Sequence, residues 1–148
     1  MPKYFEELKL GYKFEGVSIT VTEAHIVFYG SLAGDLYPWH MNEEYAKKYS
    51  PARTRIAHGM LTATLIVPGM SRLDAESVSH LGEHFTFRDP VCIGDTISSE
   101  WEVARLEPKK NWGLVGLRSV VKNQKGRIVL EGESVIAVAY RPKNPGQT

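Results

Sequence analysis

Apolar and polar positions alternate in five stretches of this chain. From Glu15 to Thr22, Val17, Ile19 and Val21 share one parity, the period-2 mark of a half-buried strand. From His80 onward the same pattern returns four times. Phe85 and Phe87 alternate with polar neighbours up to Asp89-Pro90, and Gly94-Asp95 marks a turn. Thr96 to Leu106 carries Ile97, Trp101 and Val103 on one parity, and Trp112 to Lys122 carries Val115, Leu117 and Val121. Asn123 to Gly126 reads as a polar hairpin turn, and Arg127 to Tyr140 sets Ile128, Leu130, Ile136 and Val138 in register.

Between the first strand and the rest the period changes to that of helices. Thr22 is an N-cap for a helix over Glu23 to Ala33, with Ile26, Tyr29 and Ala33 on its apolar face and His25 in its first turn. Gly30 and Ser31 weaken that helix. Asn42 caps a short helix, Glu43 to Tyr49, in which Glu43 and Lys47 stand at pairing distance. Gly59 to Val67 is apolar almost all round, so it is expected to be buried, with Pro68-Gly69 ending it. Residues 71–78 read as a connection. One strand, helices and then four hairpin-ordered strands predict an α+β fold, with an antiparallel sheet around the buried helix.

Composition narrows the function. The 148 residues are 43% apolar, which suits one domain over 1–148 with a polar tail from about residue 142. Eighteen basic and 17 acidic residues leave a net charge of +1, which gives no electrostatic case for nucleic acid or an anionic membrane. No run reaches the ~20 apolar residues of a membrane span, and no secretory signal pattern opens the chain. A cytoplasmic protein is expected. Cys92 is the lone cysteine and lies in an apolar run, as a buried thiol would.

The chemistry concentrates in one loop. Gly34, Asp35, Pro38 and His40 read as a shaped loop rather than a helix. A carboxylate and an imidazole on one such loop can reach a single water, one taking a proton while the other orients it. Eighteen residues after His40, His58-Gly59 opens the apolar helix. The first amides of a helix have no internal acceptor and favour negative charge, so a thioester carbonyl placed at Gly59 would have its oxyanion stabilised. These are the parts needed to add water to, or remove it from, an α,β-unsaturated thioester. His58 is expected to brace the loop beside Gly59. Arg53 and Arg55 read as solvated loop charges. Asp35, His40 and His58 match no zinc spacing, so no metal is expected.

The run Phe28 to Ala46 resembles the signature of MaoC-like dehydratases, the (R)-specific enoyl-CoA hydratases, through Tyr29, Gly34, Asp35, Pro38, His40 and Ala46. Arg55 to Leu61, Pro90 to Ile97 and Asn123 to Glu133 resemble later parts of the same family, in the same order. Tyr37 stands where the family usually has Asn, and Trp39 where it usually has Leu or Ile. The resemblance implies a hot-dog fold, a homodimer with pockets near its interface, and a CoA or acyl-carrier thioester as substrate with no cofactor. It makes Asp35 and His40 the catalytic pair and the Gly59 amide the carbonyl site. Tyr37 and Trp39 would then shape the acyl pocket. Two alternatives stay open: a lyase for a branched or dicarboxylic acyl-CoA of methylmalyl or mesaconyl type, and a non-catalytic acyl-binding subunit. The same architecture also hosts thioesterases.

Overall fold

The computed structural model describes residues 1–142; the polar tail expected from about residue 142 lies almost entirely outside them. Strand β1 (Lys13–Thr20) leads to helices α1 (Glu23–Ala33), α2 (Pro38–Met41), α3 (Glu43–Tyr49) and α4 (Gly59–Ile66). A 3-10 segment, Val67–Leu73, continues α4. Strands β2 (Ser77–Phe87), β3 (Thr96–Pro108), β4 (Gly113–Asn123) and β5 (Ile128–Val138) follow. All five strands join one antiparallel sheet in the order β1-β3-β4-β5-β2.

Sheet register follows the apolar parity. Trp101 lies opposite Ser119, which lies opposite Gly132, and Val103, Leu117 and Ser134 form the next row. These side chains face one buried layer, where Leu61, Ala63 and Ile66 of α4 meet Val103, Val115, Leu117, Val121 and Leu130. The result is the α+β arrangement expected, a sheet packed on a central helix.

Several details differ from expectation, each for a physical reason. Strand β2 begins at Ser77, inside the stretch read as a connection, because its first residues are exposed at a sheet edge and need no alternation. Ile128 is exposed, since a register irregularity between Val121 and Lys122 takes it off the inner row. Ala33 is exposed and Gly30 is buried, so the inward stripe of α1 is Ile26, Tyr29 and Gly30. Helix α4 is buried on one side only: Met60 is 50% exposed and Thr64 is open to solvent. Lys47 pairs with Glu44 at 2.8 Å, because Glu43 turns instead to Arg55.

The far end of α4 is pinned by close packing. A side chain added at Gly69 would place its Cβ 3.0 Å from the Gly16 Cα, the Ser99 Oγ and the Trp101 Nε1. The missing side chain thus lets the continuation of α4 lie directly against β1. Trp101, 1% exposed, closes this corner and donates its indole N–H to Ser99 Oγ at 3.1 Å. Gly69→Ala is expected to lower the unfolding free energy by about 1–3 kcal/mol, the usual cost of overpacking, as read by urea denaturation.

Candidate active site

Local sequence builds the loop around Asp35. Thr22 donates its backbone N–H to His25 Nδ1 at 3.0 Å, so His25 helps start α1. The helix stops at Gly34, whose φ of 72° is the left-handed region that glycine enters without penalty. Asp35 Oδ1 then accepts the Tyr37 N–H at 3.3 Å, a tight Asx-type turn. Pro38 opens α2, a single turn, so His40 stands on a short helix rather than in the loop expected. The fixed φ of proline suits a first helical position, where no N–H is needed. Asn42 caps α3, accepting the Tyr45 N–H at 3.0 Å.

A second segment meets this loop. Ile56 donates its N–H to the Trp39 carbonyl at 3.2 Å, and Ala57 donates to the Val91 carbonyl at 2.7 Å. Residues 56–57 are therefore held between α2 and the chain entering β3. Arg55, read from sequence as solvated, is instead largely enclosed, with 14% of its side chain exposed. It reaches Glu23 at 2.6 Å and Glu43 at 3.4 Å, joining the starts of α1 and α3. The guanidinium holds the Glu23 carboxyl below its ordinary range. Arg53 donates to the Lys48 carbonyl.

These supports bring Asp35, His40 and His58 together, with one donor atom of each within 4.8 Å of the other two. The rings of His40 and His58 stack at 3.9 Å with 27° between planes. His40 Nδ1 lies 2.7 Å from the Ile56 carbonyl. A carbonyl only accepts, so Nδ1 carries the proton, and Nε2 is the acceptor of the neutral ring. His58 Nε2 lies 2.9 Å from the backbone carbonyl of Asp35 and donates to it by the same logic. The trio has metal-ligand residue types, and each imidazole donates one N–H to a backbone carbonyl, which leaves its other nitrogen with a free lone pair.

Gly59 is the first residue of α4, and Thr62 N–H to His58 O, at 3.1 Å, is the first intrahelical bond. The amides of Gly59, Met60 and Leu61 thus lack an intrahelical acceptor. Phe87 lies over Gly59, so a Cβ there would come within 3.1 Å of its ring. A cleft of about 410 Å3 opens at this point, lined by Trp39, His40, Gly59, Phe87, Val91 and Val129 among others. Asp35 is exposed and stands outside that lining. Tyr37 also stands outside it and packs edge-on against Trp39 at 5.6 Å. Cys92 is half-buried, and burial pushes its thiol pKa up.

The model of the MaoC like domain matches residues 7–124. The chain belongs to the MaoC-like family. An (R)-specific enoyl-CoA hydratase of Rhodospirillum rubrum is 34% identical over 139 residues, 93% of each chain. A 3-hydroxybutyryl-CoA dehydratase of Methylorubrum extorquens is 32% identical, over 91% of this chain and 83% of the relative. A Mycobacterium tuberculosis protein with a double hot-dog fold superimposes with a TM-score of 0.85 at 21% identity. That match covers 98% of this chain and 47% of the other, which makes the MaoC-like domain here a hot-dog fold.

Reading the MaoC-like sequence missed the far wall of the cleft. Phe87 and Val129 reach it through the pairing of β2 with β5, and Phe87 was visible only as a member of an apolar parity. It also missed how far His58 reaches. This ring is 2% exposed, and burial, first among the causes, lowers its pKa. The unfolded chain therefore takes up this proton first as pH falls. Stability is full above the ordinary histidine pKa of about 6.5 and declines as pH drops through it, levelling off below the lowered folded value. In urea titrations between pH 7.5 and 5, His58→Gln is expected to lose less stability than the native chain over that window.

Proposed function

We propose that this chain adds water to, and removes it from, the double bond of an enoyl thioester, as an (R)-specific enoyl-CoA hydratase or 3-hydroxyacyl-CoA dehydratase. The observation that carries this reading is the meeting of Asp35 and His40 beside a cleft that also contains Gly59 at the start of α4. The names of the two full-length relatives support the same reaction.

In this reading one water sits between the Asp35 carboxylate and His40 Nε2. Asp35 takes a proton from it, and the hydroxyl oxygen bonds to the β-carbon. The electron pair of the double bond moves to the thioester oxygen, which the Gly59 amide stabilises. The enolate then collapses as the proton taken by Asp35 passes to His40 Nε2 and from there to the α-carbon. Hydroxyl and hydrogen thus arrive on one face, and both catalytic groups regain their starting state. Trp39 forms one wall of the acyl pocket and Tyr37 backs it. CoA serves as a handle on the substrate, and no cofactor or metal takes part.

The functional unit in this reading is a homodimer. Strand β2 is an 11-residue sheet edge, exposed over most of its length, with Val78 63% and Leu81 47% exposed. A long exposed edge invites pairing with another strand, and a second copy would cover Val78 and Leu81. In this reading the enzyme works in the cytoplasm; among the described residues no helix is long and apolar enough to cross a membrane.

Crotonyl-CoA is the test substrate, followed by loss of the conjugated thioester absorbance. The native chain should hydrate it to the (R)-3-hydroxy product, with activity unchanged by EDTA. Asp35→Asn and His40→Gln should each lower kcat by about 10²–10⁴-fold, the range for removal of a general acid or base. Near-native rates in both variants would sink the assignment, and release of free CoA thiol would indicate a thioesterase. For the assembly, light scattering should give twice the chain mass, and Leu81→Glu should shift it toward the monomer.

A further inference from the structure

We propose that His58 is a positioning residue for this reaction: one side chain that ties the Asp35 loop, the His40 ring and the start of α4 into a single unit. The inference rests on the hydration reading given above.

Three contacts converge on it. Its Nε2–H donates to the Asp35 carbonyl at 2.9 Å, across 23 residues of chain. Its ring face stacks on His40 at 3.9 Å. Its own carbonyl accepts the first intrahelical bond of α4, and its next residue is Gly59. Each of the three groups assigned to catalysis is therefore one contact or one peptide bond from His58. Tyr29 also packs on the ring, tilted by 50° with its centroid 5.0 Å away.

Packing alone does not account for a histidine here. The ring is almost fully buried, and its Nδ1 finds no partner among the described residues. Burying a polar nitrogen without a partner costs free energy that a leucine would not incur. The contact with the Asp35 carbonyl is part-buried, and the same carbonyl lies against Gly30, so the backbone at Asp35 is held from two sides. What an apolar ring could not do is fix where the carbonyl, and with it the Asp35 carboxylate, stands. The expected signature is thus a loss of rate in a chain that still folds. Misplacement of a reacting group by about 1 Å is enough to cost on the order of 100-fold.

The test compares His58→Leu, which removes the donor, with His58→Gln, whose amide can reach the same carbonyl. With crotonyl-CoA, His58→Leu should lower kcat by roughly 100-fold while KM changes less than about threefold. His58→Gln should recover kcat to within roughly tenfold of native. Amide hydrogen exchange over residues 34–40 should be faster in His58→Leu and near native in His58→Gln. If His58→Leu does not fold, His58→Asn replaces it, since its shorter amide stops short of the Asp35 carbonyl. A folded Leu or Asn variant with near-native kcat, or a Gln variant no better than it, overturns the proposal. Should the native chain fail to hydrate crotonyl-CoA, the function reading fails on its own. The exchange data then decide whether His58 holds the loop, and unchanged exchange counts against it.

Discussion

The backbone carbonyl of Asp35 is the point on which the site's geometry depends. It lies in the space that a side chain at position 30 would fill, since a Cβ on Gly30 would come within 3.1 Å of it and 3.4 Å of the Met41 sulfur. The same carbonyl accepts from His58. Gly30 therefore matters to the site through what it leaves open. Its weak helix propensity, about 1 kcal/mol against Ala, is offset by allowing the turn after α1 to fold back onto the helix.

That turn has to face a second segment that arrives from elsewhere in the chain. Residues 56–57 are bonded on one side to the Trp39 carbonyl and on the other to Val91, so α2 and the entry to β3 share one short strip of backbone. Arg55, at its start, gathers two acidic side chains from α1 and α3. The strip ends at His58 and Gly59. A hot-dog sheet gives α4 a fixed bed, and the glycine contact between residues 69 and 16 sets the depth of its far end. The near end is then free to be placed by polar contacts, which are directional where apolar packing is not.

Much of the architecture was legible because its causes are local. Strand parity follows from burying one face, and the limits of α1 follow from Thr22 before it and Gly34 after it. Asn42 announced α3 in the same way. The motif around Asp35 and His40 named two of the three side chains that the structure brings together, His58 being the third. What stayed hidden is non-local. Nothing in the spacing of Glu43 chooses Arg55 over Lys47, because that choice depends on how α3 docks beside residue 55. The start of β2 was invisible because an edge strand open to solvent need not alternate. The reach of His58 was invisible because its acceptor is a backbone carbonyl, which no residue type announces.

Stability and chemistry are therefore drawn from different parts of one fold. The well-packed corner around Trp101, Gly16 and Gly69 lies toward the β1 end of the sheet; the Ser119 hydroxyl, opposite Trp101, has no partner among the described residues. More such compromises lie at the other end of α4: an unpaired nitrogen on His58, another on Trp39, and helix amides without an intrahelical acceptor beside Phe87. Each is unfavourable for folding, and each lies in or beside the cleft. Local rules of foldability tend to fail where function imposes its own demands. Because the helix is secured at one end by packing, its other end can present polar groups without an intrahelical partner and still hold its place.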